Sequence, residues 1–317
     1  KPMYQPYLRG KQFELIGLRE LSESILASES NKVSPIIEPV KDSSTLKTTL
    51  VELLAKDINF TLIVNPQKGT FDNTKKILDL FQSIVGSKRN YQIGVIFHNK
   101  LNHSNLIQKL EPYKEIIPSF SIIHDVIFDD IEFIISRYSE ISPILYNVLN
   151  LDIVTRRYSR NFEKESLIEL GDFFISQSKN SDYLSVGESP FSEEHLYYKD
   201  EGFIGFSDFL TIGKDYSETG FLPFAVAIHL SFPDNKNRIR VKHFVSNSND
   251  DNSDIAGKFS EAIEKLIKWC NESGYDSIAI RKFRELYNGG NVHFPGLGTI
   301  KKLSMMNHIE LVLKLMN

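Results

Sequence analysis

The 317-residue sequence has one cysteine, no long apolar run and little excess of charge of either sign. Because Cys270 stands alone, stabilisation by an internal disulfide framework is excluded. No apolar segment approaches the roughly 18 residues that a membrane helix needs, and the first residues lack the apolar core of a signal peptide. These absences predict a cytoplasmic protein that does not contact the membrane.

The charge balance indicates no general partner. Thirty-seven basic and 41 acidic residues give a formal net charge of -4 and a pI near 6.1, so the chain as a whole does not attract nucleic acid, although a local basic patch leaves direct nucleic-acid binding open. The phosphate-binding motifs Gly-x-Gly-x-x-Gly and Gly-x-x-x-x-Gly-Lys are both missing from the sequence. Their absence counts against a nucleotide-binding open sheet.

Eight short, mostly apolar segments have the pattern of buried strands. They are Tyr4 to Arg9, Ser34 to Glu38, Phe60 to Asn65, Tyr91 to His98, Phe120 to His124, Ile144 to Asn150, Asp182 to Glu188 and Phe224 to His229. Segments with helical spacing of apolar residues separate many of them, such as Leu46, Leu50, Leu53 and Leu54. Alternating strands and helices fit a doubly wound open sheet or a closed barrel, and the count of eight favours a TIM-like (β/α)8 barrel.

The later part of the chain departs from this alternation. Residues 189–220 are rich in aromatic residues and glycine without helical spacing, which predicts an inserted loop that serves as a lid or a docking surface. Residues 224–232 and 239–246 flank a turn-rich connector and predict a hairpin, and helices are predicted near 255–270 and 299–315. We therefore expect one domain over 3–317, with a barrel core at 3–232 that contains the insertion and a hairpin with helices at 233–317.

Polar residues at the ends of the predicted strands are the candidates for a functional site, because active sites of such barrels lie at the carboxyl ends of the strands. Arg9 and Lys11 are predicted to bind an anionic group, Glu38 or His229 to move a proton, and Asn65 to orient the ligand. The alternative is that each residue only satisfies backbone groups at a strand end. On the functional interpretation, replacing such a residue removes activity and leaves the fold intact.

An arginine-rich segment follows the sixth predicted strand. Arg157, Arg160 and Asn161 are predicted to contact an anionic ligand or the acidic surface of a partner, and the alternative is a solvated loop. Possible metal ligands lack the close spacing of a metal motif, so we predict no metal site, and no cofactor is indicated. They are Glu38, His98, His124, Asp125 and His229. Because Gly-x-Ser-x-Gly is missing, Ser185 is predicted to be a strand residue rather than a nucleophile.

Several segments, in this order and spacing, resemble the bacterial and phage group called beta family proteins. They are Tyr-Leu-Arg-Gly-Lys-Gln-Phe-Glu at 7–14, Ser-Pro-Ile-Ile-Glu-Pro-Val at 34–40, Val-Asn-Pro at 64–66, Arg-Asn at 160–161, Gly-Phe-Ile-Gly-Phe-Ser-Asp-Phe at 202–209, Ala-Val-Ala-Ile-His-Leu at 225–230 and His-Phe-Val-Ser at 243–246. The resemblance adds Asp208 to the catalytic candidates. The sequence departs from the family pattern at two places. Segment 151–161 is rich in arginine where the family pattern is more acidic and aromatic, and Phe209 stands where tyrosine is more usual.

The resemblance implies a role in antiphage defence or phage conflict. On this hypothesis the protein is a recognition or assembly subunit that uses a pocket at the barrel mouth and works with a partner effector such as a nuclease. The alternative hypothesis is an enzyme, a phosphodiesterase-like barrel hydrolase acting on a phosphate-bearing or nucleotide-like substrate. Both hypotheses use a polar pocket at the carboxyl end of the barrel, and on the enzyme hypothesis Arg9 and Lys11 hold the anionic group of the substrate there.

Overall fold

A computed structural model describes residues 3–29, 32–217 and 220–316. By its internal contacts the chain divides into two compact units. The first unit comprises residues 1–172 and 196–208, and the second comprises residues 173–195 and 209–317. These boundaries differ from the expected division at residue 232, and the expectation of a single domain stays a prediction.

The first unit contains a parallel β-barrel. Its eight strands within the described residues are β1 (Tyr7–Arg9), β2 (Ile36–Glu38), β3 (Phe60–Ile63), β4 (Tyr91–Phe97), β5 (Phe120–His124), β6 (Ile144–Asn150), β7 (Leu167–Gly171) and β9 (Gly205–Asp208), and they are hydrogen-bonded in that order. A parallel bridge between Tyr4 and Phe206 joins the last strand to the first, with the Gln5 N–H 2.9 Å from the Phe206 carbonyl oxygen. The predicted TIM-like barrel is therefore confirmed.

Five α-helices connect the first six strands. They are α1 (Gln12–Leu21), α2 (Ser44–Ala55), α3 (Thr74–Val85), α4 (His103–Leu110) and α5 (Ile131–Ser139). Ser43, Asn73 and Asn102 cap α2, α3 and α4 by accepting a backbone N–H of the first turn. Short 3₁₀ helices at Arg156–Asn161 and Lys164–Ser166 connect β6 to β7. The apolar stripe Leu46, Leu50, Leu53 and Leu54 that predicted α2 is buried.

The last two barrel strands lie elsewhere than predicted. Residues 182–188 form the end of a 3₁₀ turn, the short helix α6 (Tyr183–Val186) and the start of another strand, and residues 224–229 enter a second sheet. The true strands β7 and β9 each bury a carboxylate residue, Glu169 and Asp208, both only 3% exposed. They were missed because the carboxylates interrupt the apolar run by which a buried parallel strand is recognised.

The second unit is built on a three-stranded antiparallel sheet. Its strands are β8 (Glu188–Ser192), β10 (Ala227–Pro233) and β11 (Ile239–Val245), in the order β10, β11, β8. The predicted hairpin is confirmed as β10 and β11. Three helices follow, namely α8 (Ile255–Ser273), α9 (Ile278–Tyr287) and α10 (Leu297–Leu315). The Trp269 ring of α8 packs on Phe232 and Phe244, while Asn307 of α10 donates a hydrogen bond to the carbonyl oxygen of Ser231 on the other face.

The segment 189–220 is only partly the irregular loop that was predicted. It contains most of β8, the short helix α7 (Glu194–Tyr197) and the barrel strand β9, and residues 218 and 219 lie outside the described residues. None of the helices in the described ranges combines the length and the apolar content that a membrane span requires.

Candidate functional site at the carboxyl end of the barrel

The register of the strands decides which side chains enter the barrel. Phe60 of β3 packs against Phe81 of α3, so Phe60 and its alternate residue Leu62 face the helices. Ile37 is the neighbour of Leu62 and also faces outward. Consequently Glu38, and Arg9 as its partner on β1, point inward at the carboxyl ends of their strands. Arg9 and Glu38 thus lie together at the carboxyl end of the barrel, while the ligand-binding and catalytic roles predicted for them stay predictions.

Arg9, Glu38 and Tyr7 form one buried cluster. The Glu38 Oε1 atom accepts a hydrogen bond from the Tyr7 hydroxyl at 2.7 Å and lies 3.5 Å from the Arg9 Nε atom. The Arg9 guanidinium carbon is 5.1 Å from the centre of the Tyr7 ring, within the range of a cation–π contact. The side chains of Arg9 and Glu38 are only 11% and 2% exposed. The charge of Arg9 is therefore held in place on two sides.

The second oxygen of Glu38 is bound by a loop that follows β3. Its Oε2 atom accepts hydrogen bonds from the backbone N–H groups of Gln67 at 2.8 Å and Lys68 at 3.1 Å. The loop turns at Gly69, whose φ of +81° is rarely adopted by other residues, and it presses closely on Val40. Glu38 thus has three hydrogen-bond donors and one cation around a single buried carboxylate.

These contacts determine the chemistry of the cluster. Burial raises the pKa of Tyr7 well above its usual value, and the charges of Glu38 and Asp125 raise it further, so Tyr7 stays a neutral donor. Asp125 directly follows β5, and its Oδ1 atom accepts a hydrogen bond at 3.2 Å from the side chain of Asn150, which ends β6, so Asp125 lies at the same end of the barrel. Glu38 is engaged by four neighbours, which suits the positioning of Arg9 better than proton transfer.

Lys11 and Asn65, two other predicted ligand-binding residues, lie near this cluster. Lys11 is half-buried and immediately precedes α1. The side chain of Asn65 binds the backbone of Ile96 on β4 through both its amide nitrogen and its oxygen, each at 2.8 Å, which extends the pairing of β3 with β4. Its backbone carbonyl accepts a hydrogen bond from the side chain of Gln67 at 2.7 Å. Asn65 thus supports the loop that binds Glu38.

Asp208 and His229, two of the predicted catalytic residues, differ from the expectation that each ends a barrel strand with its side chain facing inward. Asp208 lies at the end of β9 in line with Phe206, which stacks on Tyr4 outside the barrel, and its Oδ1 atom accepts a hydrogen bond from the Tyr4 hydroxyl at 2.7 Å. His229 belongs to β10 of the second unit rather than to a barrel strand. The expected strand end was therefore wrong for His229, and the expected inward orientation was wrong for Asp208, while the catalytic roles of both residues stay predictions.

The arginine-rich segment forms an exposed 3₁₀ helix after β6. Arg157, Arg160 and Asn161 are all exposed, and the Asn161 side chain donates a hydrogen bond to the Tyr158 carbonyl oxygen of the same turn. The buried part of the segment is Tyr158, which packs with Phe162. The segment follows a barrel strand, and its contact with a ligand stays a prediction.

His124 is a buried histidine on the outer face of the barrel. Its register partner Phe97 contacts His103 of α4, which places both on the face that meets the helices. The His124 Nε2 atom lies 2.9 Å from the Asn147 side-chain oxygen, and Nδ1 lies 3.1 Å from the Tyr158 hydroxyl. Burial lowers the pKa of His124 to about 4, so the ring is neutral at pH 7.

This histidine makes the barrel sensitive to acid. Because the folded-state pKa of about 4 lies below the unfolded value near 6.5, the unfolded state binds the proton first and stability falls as pH decreases between these values. We expect urea denaturation to show a loss of about 2–3 kcal/mol from His124 between pH 7 and pH 4.5. The variant His124→Gln should lose less stability between pH 7 and pH 4.5, because glutamine does not take up a proton there. An identical loss in both proteins would contradict the assignment.

Some contributors to the cluster were not predicted from the chemistry of their side chains. Gln67 and Lys68 act through backbone N–H groups, which no side-chain pattern reveals. Gly69 was the available signal, because a glycine shortly after a strand end marks a tight turn of the backbone. Asp125 was considered only as a metal ligand, and Tyr7 was named only through the family resemblance. Neither stood out in the sequence as a neighbour of Glu38.

The fold and this cluster define the chain as an eight-stranded β/α barrel with a buried arginine–carboxylate pair at the mouth. No family model and no curated protein matches the sequence.

Similar solved structures include N-acetylneuraminate lyase from Mycoplasma synoviae, at 10% identity and a TM-score of 0.37, covering 90% of this chain and 79% of that one. Dihydrodipicolinate synthase from Bacteroides thetaiotaomicron is 8% identical with a TM-score of 0.35, covering 95% and 86%. The catalytic module of a family 98 glycoside hydrolase from Streptococcus pneumoniae is 11% identical with a TM-score of 0.27, covering 65% and 37%. These likenesses are too distant to suggest an activity.

Proposed function

We propose that the carboxyl end of the barrel binds a small anionic ligand, and that Arg9 is the group that recognises its phosphate or carboxylate. The observation that supports this most strongly is the fixed position of the Arg9 guanidinium between Glu38 and the Tyr7 ring. A guanidinium presents five N–H donors in a planar fork that matches the oxygens of a phosphate or carboxylate. A preorganised arginine loses little conformational entropy when the ligand binds.

Recognition is a better fit than catalysis for this cluster. Glu38, the predicted proton-transfer residue, accepts hydrogen bonds from Tyr7, Gln67 and Lys68 and lies beside Arg9. A carboxylate held by these four groups is suited to keeping the Arg9 guanidinium in position. Together with the resemblance to beta family proteins, this supports a recognition or assembly subunit of an antiphage defence or phage-conflict system, in which the bound ligand is the signal.

A protein effector is the partner that this proposal requires. Phe221, Leu222 and Phe224 of the second unit expose 92%, 56% and 55% of their surface, and three large apolar residues so close in sequence suit a protein interface. An effector such as a nuclease would bury them. Replacing all three with serine should abolish co-purification of an effector while preserving ligand binding.

The ligand-binding role is tested by calorimetric titration of the protein with adenosine monophosphate and with inorganic phosphate. Arg9→Gln should weaken binding about 10- to 100-fold, since a charge-assisted hydrogen bond contributes roughly 1.5–3 kcal/mol. Arg89→Gln is the matched control, because Arg89 is exposed just before β4, at the opposite end of the barrel. Equal affinities of the wild type and Arg9→Gln, or no binding of either anion, would refute the proposal.

The second candidate function is hydrolysis of a phosphate-bearing substrate, and Asp125 is the observation that favours it. Its carboxylate lies at the carboxyl end of β5, beside the side chain of Asn150, where it would accept a proton from a ligand in the mouth. If the protein is a hydrolase, Asp125→Asn should abolish turnover of bis(p-nitrophenyl) phosphate while preserving the affinity for adenosine monophosphate. Absence of turnover in a wild-type protein that binds the nucleotide would leave recognition as the function.

A further inference from the structure

A serine and two histidines form a continuous hydrogen-bonded chain in the second unit. The Ser189 Oγ atom of β8 lies 2.9 Å from the His243 Nε2 atom of β11. The His243 Nδ1 atom lies 2.8 Å from the His229 Nδ1 atom of β10. His229 and His243 are direct partners in the β10–β11 pairing, and Ser189 is paired with Val241, two residues from His243. Three adjacent strands thus place these side chains on one face of the sheet.

The two facing ring nitrogens restrict the protonation of this chain. Two neutral imidazoles that share a hydrogen bond need one N–H and one lone pair. If His243 Nδ1 carries the hydrogen and donates it to His229, then His243 Nε2 has the lone pair that accepts the Ser189 hydroxyl hydrogen. In that arrangement Ser189 has a base within hydrogen-bond reach, and His229 orients the base.

We propose that Ser189, His243 and His229 form a second site, independent of the barrel mouth, that transfers acyl groups from small apolar esters. In this site Ser189 is the nucleophile, His243 the general base and His229 the residue that positions it. The sequence analysis named His229 but did not connect it with Ser189 and His243, because the site lacks Gly-x-Ser-x-Gly and its residues come from three separate strands. The same three roles are known to arise without that motif on unrelated folds.

The surroundings of the chain indicate the substrate class. The Tyr183 ring lies 4.6 Å from His229 and 4.7 Å from His243, and Phe174 lies 5.0 Å from His229. Tyr183 also belongs to an apolar cluster with Ala225 and Val245. Ser189 is itself only 6% exposed. A short apolar acyl group suits such a site better than a charged or bulky one.

The proposed reaction balances without a further reagent. Ser189 Oγ forms a bond to the carbonyl carbon of the ester, and its proton passes to His243 Nε2. The bond from that carbon to the alkoxy oxygen then breaks, and the leaving alcohol takes the proton from His243. Water hydrolyses the acylated serine by the same steps, which releases the carboxylic acid and restores Ser189.

The ionisation of the two histidines is compatible with this role. Burial lowers the pKa of His243 to about 4, and burial together with the charges of His243 and Lys301 lowers the pKa of His229 to about 3. His243 is therefore an unprotonated base at every pH above about 4. The rate of ester hydrolysis should therefore decrease only as the pH falls through about 4, well below the usual pKa of histidine near 6.5.

The test is covalent labelling of the full chain with a small fluorophosphonate, read by intact mass and peptide mapping, alongside hydrolysis of p-nitrophenyl butyrate. We expect one fluorophosphonate adduct, on Ser189. Both the labelling and the hydrolysis of p-nitrophenyl butyrate should be lost in Ser189→Ala and in His243→Ala. His229→Gln should slow labelling at least about tenfold, because an orienting residue acts through the base. Ser185→Ala is the matched control, since Ser185 is an exposed serine of the preceding helix, and it should react like the wild type.

A second variant keeps the test decisive if alanine at position 189 disturbs folding. Ser189→Cys retains a side chain of similar shape, and the rate of its alkylation by iodoacetamide is measured. With His243 as its base, this thiol should be alkylated at least about tenfold faster than the same thiol in the double variant Ser189→Cys/His243→Ala. An unlabelled wild-type protein, labelling retained in Ser189→Ala, or equal alkylation rates of Ser189→Cys with and without His243 would each overturn the proposal.

Discussion

Replacing Glu38 with alanine is expected to destabilise the barrel unit by about 3–5 kcal/mol, because removing one partner of a buried ion pair leaves the other charge uncompensated. Arg9 would lose its carboxylate, and the Tyr7 hydroxyl and the N–H groups of Gln67 and Lys68 would lose their acceptor. This differs from the expectation from sequence that strand-end residues can be removed with the fold intact. Urea denaturation followed by circular dichroism measures the loss.

Two matched variants separate the causes of this loss. Glu38→Gln keeps the size of the side chain and an acceptor oxygen but removes the charge. Its free energy of unfolding should therefore lie between that of the wild type and that of Glu38→Ala. Glu132→Ala removes an exposed carboxylate from α5 and should change stability by no more than about 0.5 kcal/mol. A Glu38→Ala protein as stable as Glu132→Ala would show that the cluster does not support the fold.

The variant Gly69→Ala should be nearly as damaging, with an expected loss of about 2–5 kcal/mol from backbone strain and overpacking combined. A methyl group at this position would lie 2.2 Å from the Val40 carbonyl oxygen, and the residue has a φ of +81°. The loop must move to relieve this contact. Because the loop supplies two donors to Glu38, we also expect weaker anion binding, measured by the same calorimetric titration as for Arg9→Gln.

Gly202→Ala is the control for Gly69→Ala. Gly202 has a similar φ of +90° and lies in the same unit, but no atom lies within 4 Å of an added methyl group. It should therefore show only the cost of the backbone conformation, about 1–2 kcal/mol, and unchanged anion binding. If both variants lose the same stability and both keep their affinity, the contact of Gly69 with Val40 has no part in forming the site.

Sequence reasoning predicted the barrel where its strands are continuous apolar runs. The bounds of β5 and β6 were predicted to the residue, because both runs end at a polar residue or a turn. The eighth predicted strand was wrong because residues 224–229 have the same composition as a parallel strand. Only pairing with β11 shows that they belong to a hairpin in another sheet.

The candidate site was predictable in part, for a similar reason. Arg9 and Glu38 end neighbouring strands, so the rule that such ends share one face brought them together. The rule fails for Asp208, which ends a barrel strand but faces outward, since a shift of one residue in register reverses the face. The backbone donors of Gln67 and Lys68 depend on the path of a loop, which residue types alone do not specify.

The most direct test of the central claim is an NMR titration of the arginine side chains with inorganic phosphate. The Nε–H resonance of Arg9, assigned by its loss in Arg9→Lys, should shift with increasing phosphate and saturate, because the claim places the anion on this guanidinium. The Nε–H resonance of Arg89 should not move at the same concentrations. An Arg9 resonance that stays still, or one that shifts no more than that of Arg89, would contradict the account.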